Sequence, residues 1–432
     1  MAAASDRPAR RLLADLTPLR VNPAYRRMWF GLSLSGIGAQ LTTVAVGLQV
    51  YDLTRSTFKV GLVGLFALVP LIAAGLYGGS VIDALDRRRV IITTASGILL
   101  CAVAFTVQAV AHVDHVWLLY GLVSVQNVFY PVNSSARATI TPRLIGRELL
   151  PAANALNSVS MGVSFTLGPL LAGLLVAWVG FGGAYAVEAV LLVFALTTLV
   201  ALPSLPPEGE VSRSGIRSVL EGFAYLGTRP NVRMTFLVDI AAMALAMPRV
   251  LFPALAATRL GGGATTVGIL SAGVAVGTTL AGLFSGPLGH VRRQGVAVLM
   301  SVLAWGALIA LFGVVVAASP GPDADGGMRW WIWPAAFVLA CAGAADAVSG
   351  VFRNTILQTA TPDAMRGRLQ GVFFVVVAGG PRLGDLLLGA VADVSAETVA
   401  AIAGGLACVV VVLLLARFQP GFARYDAADP TP

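Results

Sequence analysis

Six ionisable residues interrupt long apolar stretches of the sequence and are its first candidates for chemistry. The acids are Glu188, Asp239, Asp346 and Asp385, and the bases are Arg249 and Arg382. A buried acid without a fixed partner can bind and release a proton, and a guanidinium can bind an anion through paired hydrogen bonds. Arg382 and Asp385 are three positions apart, on one face of a helix, so they could also pair with each other.

A second group of charges lies in the stretch GGSVIDALDRRRV, residues 78–90, directly after an apolar run. Asp83 follows Gly79 by one helical turn, and Arg87 and Arg88 follow Asp83 by another. Arginines alone would be enough to keep a loop on one side of a membrane. Asp83 therefore requires a further explanation.

Residues that commonly catalyse reactions or bind metals are few and scattered. The three cysteines, Cys101, Cys341 and Cys408, lie in separate apolar runs, and the three histidines are near the ends of such runs. Neither set has the spacing of a metal site or a disulfide framework. We therefore expect no catalytic cluster, no metal and no cofactor, which argues against a membrane-embedded enzyme.

The composition predicts a protein that crosses a membrane many times. Hydrophobic residues make up 57% of the 432 positions and charged residues 12%, against about 25% charged in a typical soluble domain. Twelve apolar runs approach the roughly 20 residues that a helix needs to cross a bilayer, and they lack the alternation of barrel strands. They are residues 28–51, 59–82, 90–111, 116–135, 153–178, 183–203, 233–256, 266–288, 295–317, 330–352, 369–392 and 398–416.

The basic residues predict how these spans are oriented. Lys and Arg concentrate in alternate loops and in both termini, whereas the other loops hold only Arg55, Lys59, Arg259 and Arg329. By the positive-inside rule both termini are expected in the cytoplasm. This bias explains the net charge of +8 without any binding of nucleic acid. The N-terminus has no pattern of a cleaved signal peptide.

The two halves of the chain resemble each other. The sequence VGLVGL at Val60 recurs as VGILSA at Val267, which indicates a duplication of six spans. Such halves pack around a central cavity and move against each other to give alternating access. The predicted division is an N-terminal segment 1–27, a first half 28–203, a linker 204–232 with an amphipathic helix from Ile216, a second half 233–416 and a tail 417–432.

The charged loop resembles the signature loop of the major facilitator superfamily, in which Gly79, Asp83, Arg87 and Arg88 match the pattern Gly-x-x-x-Asp-x-x-x-Arg-Arg. The resemblance implies an all-α membrane fold of twelve helices. It also implies that Asp83 docks at the N-terminal end of a helix of the other half and stabilises the outward-open state. Ala84 and Asp86 stand where the family usually has Arg and Gly, which weakens or alters this contact.

A second resemblance concerns the fifth span, SFTLGPLLAGLL. Gly168, Pro169 and Gly173 are similar to the antiporter motif of exporters in this superfamily. Glycine permits close approach of helices, and proline frees a carbonyl and bends the helix. The motif favours export over import. The fourth predicted span lacks the Arg that the superfamily often uses in proton coupling, so coupling by that route is not expected.

Three further stretches, RVLFPALAATRL at 249–260, ILQTATPDAMRGRLQGVF at 356–373 and SVLEGFAYL at 218–226, resemble the bacterial enterobactin exporters and the related macrolide-efflux group. The resemblance implies a monomeric, proton-driven exporter of a small organic molecule in the bacterial plasma membrane. We expect an enterobactin-type siderophore as cargo, with macrolide or multidrug efflux as the alternative. The expected cavity residues are Gln40, Gln126, Arg249 and Arg382, and the expected proton-coupling acids are Asp239, Asp346, Asp385 and Glu188.

Overall fold

The structure is a computed structural model that describes residues 15–146, 148–201, 216–321, 327–328 and 330–427. Helices and short turns account for the fold of this part of the chain. The helices are α1 Thr17–Val21, α2 Pro23–Thr54, α3 Thr57–Ala84, α4 Arg87–Val110, α5 Val116–Ile145, α6 Leu150–Val200, α7 Ile216–Thr228, α8 Pro230–Leu245, α9 Phe252–Leu255, α10 Gly263–Leu283, α11 Gln294–Ala317, α12 Ile332–Thr359, α13 Asp363–Val394, α14 Glu397–Phe418 and α15 Pro420–Ala423. Short 3-10 segments cover Pro248–Leu251 and Gly286–His290, and a π-helical turn covers Ala256–Leu260.

Polar side chains define where the first long helices begin. Asn22 accepts hydrogen bonds from the backbone of Ala24 and Tyr25 at the start of α2. Ser56 does the same for Lys59 in α3, and Asp86 for Arg88 in α4. The first backbone N–H groups of a helix have no partner within it, so these caps stabilise the helix ends.

The number of long apolar helices agrees with the fold class expected from the sequence. Ten helical segments of the described residues are long and apolar enough to cross a membrane. One of them, α6, has 51 residues and is interrupted at Gly180, whose φ of 69° is left-handed. If the two parts of α6 are counted separately and the 30-residue α5 is added, the number of long helices is consistent with twelve crossings.

The described helices form two halves. Helices α2–α6 make the first half and α8–α14 the second, and the halves meet where α3 packs against α13 and α6 against α10. Each contact joins the second span of one half to the fifth span of the other, so the arrangement has the pseudo-twofold symmetry that a duplication produces. We name the side from which α2 starts and on which α14 ends the termini face, and the other side the opposite face.

The seventh span is broken. Helix α8 ends at Leu245, Met247 is extended with φ −95° and ψ 98°, and a 3-10 turn begins at Pro248. Glycines allow other helices to pack on this break: a Cβ at Gly384 would collide with the backbone oxygen of Met243, and one at Gly404 with that of Leu245. Discontinuous spans of this kind line the substrate sites of many transporters.

The segment between the halves contains α7, which packs against α8 and α13. Leu226 is buried there, whereas Leu220 and Phe223 are exposed. The predicted linker residues 204–215, like residues 1–14 of the N-terminal segment and 428–432 of the tail, lie outside the described residues.

Glycine is required where α10 crosses α12, which leads to a stability prediction. A Cβ at Gly277 would overlap the backbone oxygen of Ala340, whereas a Cβ at Gly282 in the same helix would meet nothing within 4 Å. We expect Gly277→Ala to destabilise the protein by about 1–3 kcal/mol through overpacking. Gly282→Ala, the matched control, should leave stability unchanged or raise it by about 0.5–1 kcal/mol. Thermal unfolding in detergent measures both, and equal midpoints for the two variants would contradict the packing argument.

Candidate functional site

One buried acid lies in the first half with neutral partners. Glu188 is completely buried, and its carboxylate accepts hydrogen bonds from the Thr42 hydroxyl and, at 3.3 Å, from the Gln126 amide. Within the described part of the chain no Arg or Lys forms an ion pair with it. We name these three residues the Glu188 cluster. The carboxyl is eight residues beyond the break at Gly180, about 12 Å along the helix.

A second cluster lies directly beside the break in span seven. Both Nε and Nη2 of Arg249 donate to the carboxylate of Asp385, and the closest distance is 2.9 Å between Nη2 and Oδ2. The Arg249 side chain keeps 41% of its surface exposed, against 11% for Asp385. Arg382 is on the same helix as Asp385, and its Nη1 donates to the Ala378 oxygen at 2.7 Å. We name Arg249, Asp385 and Arg382 the Arg249 cluster.

This arrangement differs from the pairing that the sequence suggested. Arg382 and Asp385 are on one face of α13, but Asp385 binds Arg249 of another helix. The Arg382 side chain instead lies against α3, where its Cβ is 3.3 Å from the position that a Cβ on Gly64 would occupy. The Arg249 cluster is therefore at the junction of the two halves.

The third cluster contains a residue that sequence reasoning missed. Arg353 of α12 binds the carboxylate of Asp239 on α8, and its Nη2 is 3.6 Å from Oδ1 of Asp346. The predicted tenth span ends at residue 352, which places Arg353 in the following loop, whereas α12 continues to Thr359 and leaves 12% of the Arg353 side chain exposed. The spacing of Asp346 and Arg353 is two helical turns, and this is the sequence pattern that could have placed Arg353 on the same helix face as Asp346. We name Asp239, Asp346 and Arg353 the Arg353 cluster.

The helix of the fourth predicted span extends beyond its apolar run and contains an arginine. Helix α5 continues to Ile145, and Arg137 within it is 5% exposed. Arg137 lies beyond the predicted fourth span, residues 116–135, because the apolar run ends before the helix does. Four residues earlier, Asn133 donates to Thr94 at 2.7 Å and to the Ile91 oxygen at 3.1 Å, which joins α5 to α4.

The residues of the predicted gating loop are split between two helices. Gly79 and Asp83 belong to the last turns of α3, but their side chains lie outside the described residues. Arg87 and Arg88 begin α4; Arg87 is buried, and Nη2 of Arg88 donates to the Val200 oxygen at 2.7 Å. Arg88 thus binds the C-terminal end of α6, where a cation is favourable.

The predicted antiporter motif lies where helices are in closest contact. A Cβ on Gly168 would meet Gln40 of α2, and a Cβ on Gly173 would come within 2.5 Å of the Ala264 oxygen of α10. Gln40 is half-buried beside Gly168. Gly173 therefore joins the two halves, while Gly168 packs within the first half.

No group of His, Cys, Asp and Glu with the geometry of a metal site occurs among the residues that the structure describes. The three clusters offer acids, guanidinium groups and amides instead. Such groups can hold a proton or an anionic molecule during transport.

Comparisons with known proteins define the class of transporter. A sequence profile of the family described as transmembrane secretion effector, within the major facilitator superfamily, matches residues 13–431. The chain belongs to this family. As a transmembrane secretion effector it is a multi-pass membrane transporter, and its family consists of transporters rather than enzymes.

Two relatives of this secretion effector have a named cargo. The enterobactin exporter EntS of Shigella boydii is 30% identical over 419 residues, which are 97% of each chain. The enterobactin exporter EntS of Escherichia coli O81 shows the same identity and coverage. Both relatives therefore match over almost their whole length, which supports a transporter that exports small molecules.

Solved structures confirm the fold at low sequence identity. A POT family transporter in complex with a thioalcohol conjugated peptide has a TM-score of 0.71 at 11% identity, covering 93% of this chain and 96% of its own. The nucleoside transporter NupG, as its D323A mutant, has a TM-score of 0.71 at 14% identity, with coverages of 91% and 99%. These likenesses concern the fold alone.

Proposed function

We propose that this secretion effector exports an enterobactin-type siderophore across the bacterial plasma membrane, by alternating access and with the proton gradient as driving force. Both termini are then in the cytoplasm, and cargo leaves at the opposite face. The match of 97% of each chain with the enterobactin exporters carries this proposal. The Arg249 cluster supplies a chemical reason for it.

The Arg249 cluster suits an anionic cargo. Its two guanidinium groups and one carboxylate leave one positive charge at the junction of the halves, beside a broken span. A siderophore with ionised catechol oxygens presents adjacent acceptors, which a guanidinium binds through two parallel hydrogen bonds. The exposed part of Arg249 is therefore the proposed contact for the cargo.

Among the four acids, Glu188 is the proposed site of proton coupling. Asp385 is held by Arg249, and Asp239 and Asp346 lie beside Arg353. An ionised carboxylate is costly to bury unless a cation pairs with it. Among the described residues, the Thr42 hydroxyl and the Gln126 amide are the hydrogen-bond partners of Glu188, so its burial is easiest to explain if it carries a proton for part of the cycle.

Metabolite profiling of a deletion strain grown with and without iron tests the export function. We expect a siderophore to accumulate inside the cells and to disappear from the medium under iron starvation alone. Expression of the intact chain should restore secretion, which controls for indirect effects of the deletion. An unchanged siderophore profile together with new sensitivity to macrolides or dyes would reject the proposed cargo and favour drug efflux.

A further inference from the structure

A carboxylate of the second half binds the first turn of a helix of the first half. Asp393 is the penultimate residue of α13, at the opposite face. Its Oδ1 accepts hydrogen bonds from the backbone N–H groups of Thr57 at 2.7 Å and Phe58 at 3.1 Å. Its Oδ2 accepts from the Ser56 hydroxyl at 2.5 Å.

These bonds complete the cap of α3. Ser56 accepts the N–H of Lys59 at 3.2 Å, so local and distant side chains together satisfy the first N–H groups of the helix. An anion at a helix N-terminus is favourable because the helix dipole is positive there. A capping residue is normally the one that directly precedes the helix in the sequence. Asp393 instead belongs to the other half, so it caps α3 only while the two halves are in contact.

The backbones below this cap are in close contact. A Cβ on Gly389 would be 2.8 Å from the Thr57 oxygen, and a Cβ on Gly61 would be 2.5 Å from the Asp385 oxygen. Glycine at these positions lets α3 and α13 approach until the carboxylate reaches the helix end. Hydrogen bonds weaken steeply beyond their normal length, so a separation of a few ångströms would break all three bonds together.

We propose that Asp393 and the Ser56–Phe58 turn form an opposite-face latch, which holds the halves together on the side where cargo leaves. The latch favours the state that is closed on this face, and its opening accompanies release of the cargo. The proposal rests on alternating access between the two halves. It requires neither the identity of the cargo nor coupling to protons.

The placement of Asp393 matches that of Asp83. Each acid is the penultimate residue of its helix, α13 for Asp393 and α3 for Asp83. The two helices are antiparallel, so each has an aspartate next to its C-terminal residue, on the side from which the other helix starts. The sequence resemblance assigns Asp83 to the outward-open state, and the opposite-face latch assigns Asp393 to the reverse state.

Distances between spin labels test the latch. Labels are placed on cysteines at Lys59 and Val394, both exposed at the opposite face, in a chain whose three native cysteines are replaced by alanine. We expect two populations, one with a short and one with a long distance between the labels. Asp393→Ala should lower the ratio of the short-distance to the long-distance population about tenfold, which corresponds to about 1.4 kcal/mol. Asp393→Asn should have a smaller effect, because its amide oxygen still accepts hydrogen bonds but carries no charge.

The matched control is Asp52→Ala. Asp52 lies on the same face, and its carboxylate binds Arg55 of its own half at 2.7 Å, so its removal should leave the distances unchanged. Ser56→Ala provides a milder variant that removes one bond to Asp393 and should shift the ratio in the same direction. An unchanged distribution in properly folded Asp393→Ala overturns the latch, whether or not a siderophore is the cargo.

Discussion

Replacement of Arg249 by leucine is expected to reduce efflux of enterobactin from cells or loaded vesicles by roughly two orders of magnitude. Bound cargo would cover the exposed part of Arg249, and loss of a charge-assisted partner in a site covered in this way costs about 2–5 kcal/mol; 1.4 kcal/mol corresponds to a factor of ten. Arg249→Lys keeps the charge but not the planar pair of donors. This variant should therefore retain an intermediate rate.

The single leucine variant also leaves Asp385 buried without its cation, which can destabilise the fold by about 3–5 kcal/mol. The double variant Arg249→Leu with Asp385→Leu removes both charges, so it should fold better than the single variant but still fail to export. Arg55→Ala, which removes an exposed guanidinium on the opposite face, is the control for surface charge. Normal efflux by the double variant would show that Arg249 stabilises the protein without binding cargo.

Glu188→Gln is expected to abolish the dependence of transport on a pH gradient while exchange of cargo down its own gradient continues. Glutamine has nearly the same size as glutamate and can still accept the hydrogen bond from Thr42, but it cannot bind or release a proton. Uptake into inverted vesicles, with and without an imposed pH gradient, measures the first property. Counterflow of labelled cargo measures the second.

Asp346→Asn is the matched comparison, because Asp346 is a neighbour of Arg353 and is 31% exposed in its side chain. We expect this variant to keep its response to the pH gradient. If Asp346→Asn loses that response and Glu188→Gln retains it, the coupling acid is Asp346. A response that survives in both variants, and in Asp239→Asn and Asp385→Asn, would reject all four acids.

Much of the candidate site could be recognised one residue at a time. An ionisable side chain within an apolar run is costly and therefore conspicuous, which is why Glu188, Arg249 and Asp385 were identified. Their partners could not be identified in the same way. The sequence allowed Asp385 to pair with Arg382 on its own helix, whereas it binds Arg249, which is 136 positions away.

Arg353 shows why apolar runs are an incomplete guide. A hydropathy pattern ends a span at the first strongly polar residue, and it cannot register that an acid on another helix pairs with that residue. Arg353 lies within the protein, with 12% of its side chain exposed, because Asp239 of α8 and Asp346 of its own helix lie beside it. Arg137 was missed because α5 continues past the end of its apolar run.

The sequence by itself determined that this protein is a helical membrane transporter with two related halves. Length and hydrophobicity of each run are local properties, and in lipid they require a helix because the backbone has no other partners. Only the tertiary structure decided which charges are paired, that Glu188 is enclosed by neutral groups, and that Asp393 caps α3. Those features depend on contacts between helices that are distant in the chain, and the spacing of residues within a single helix carries no information about them.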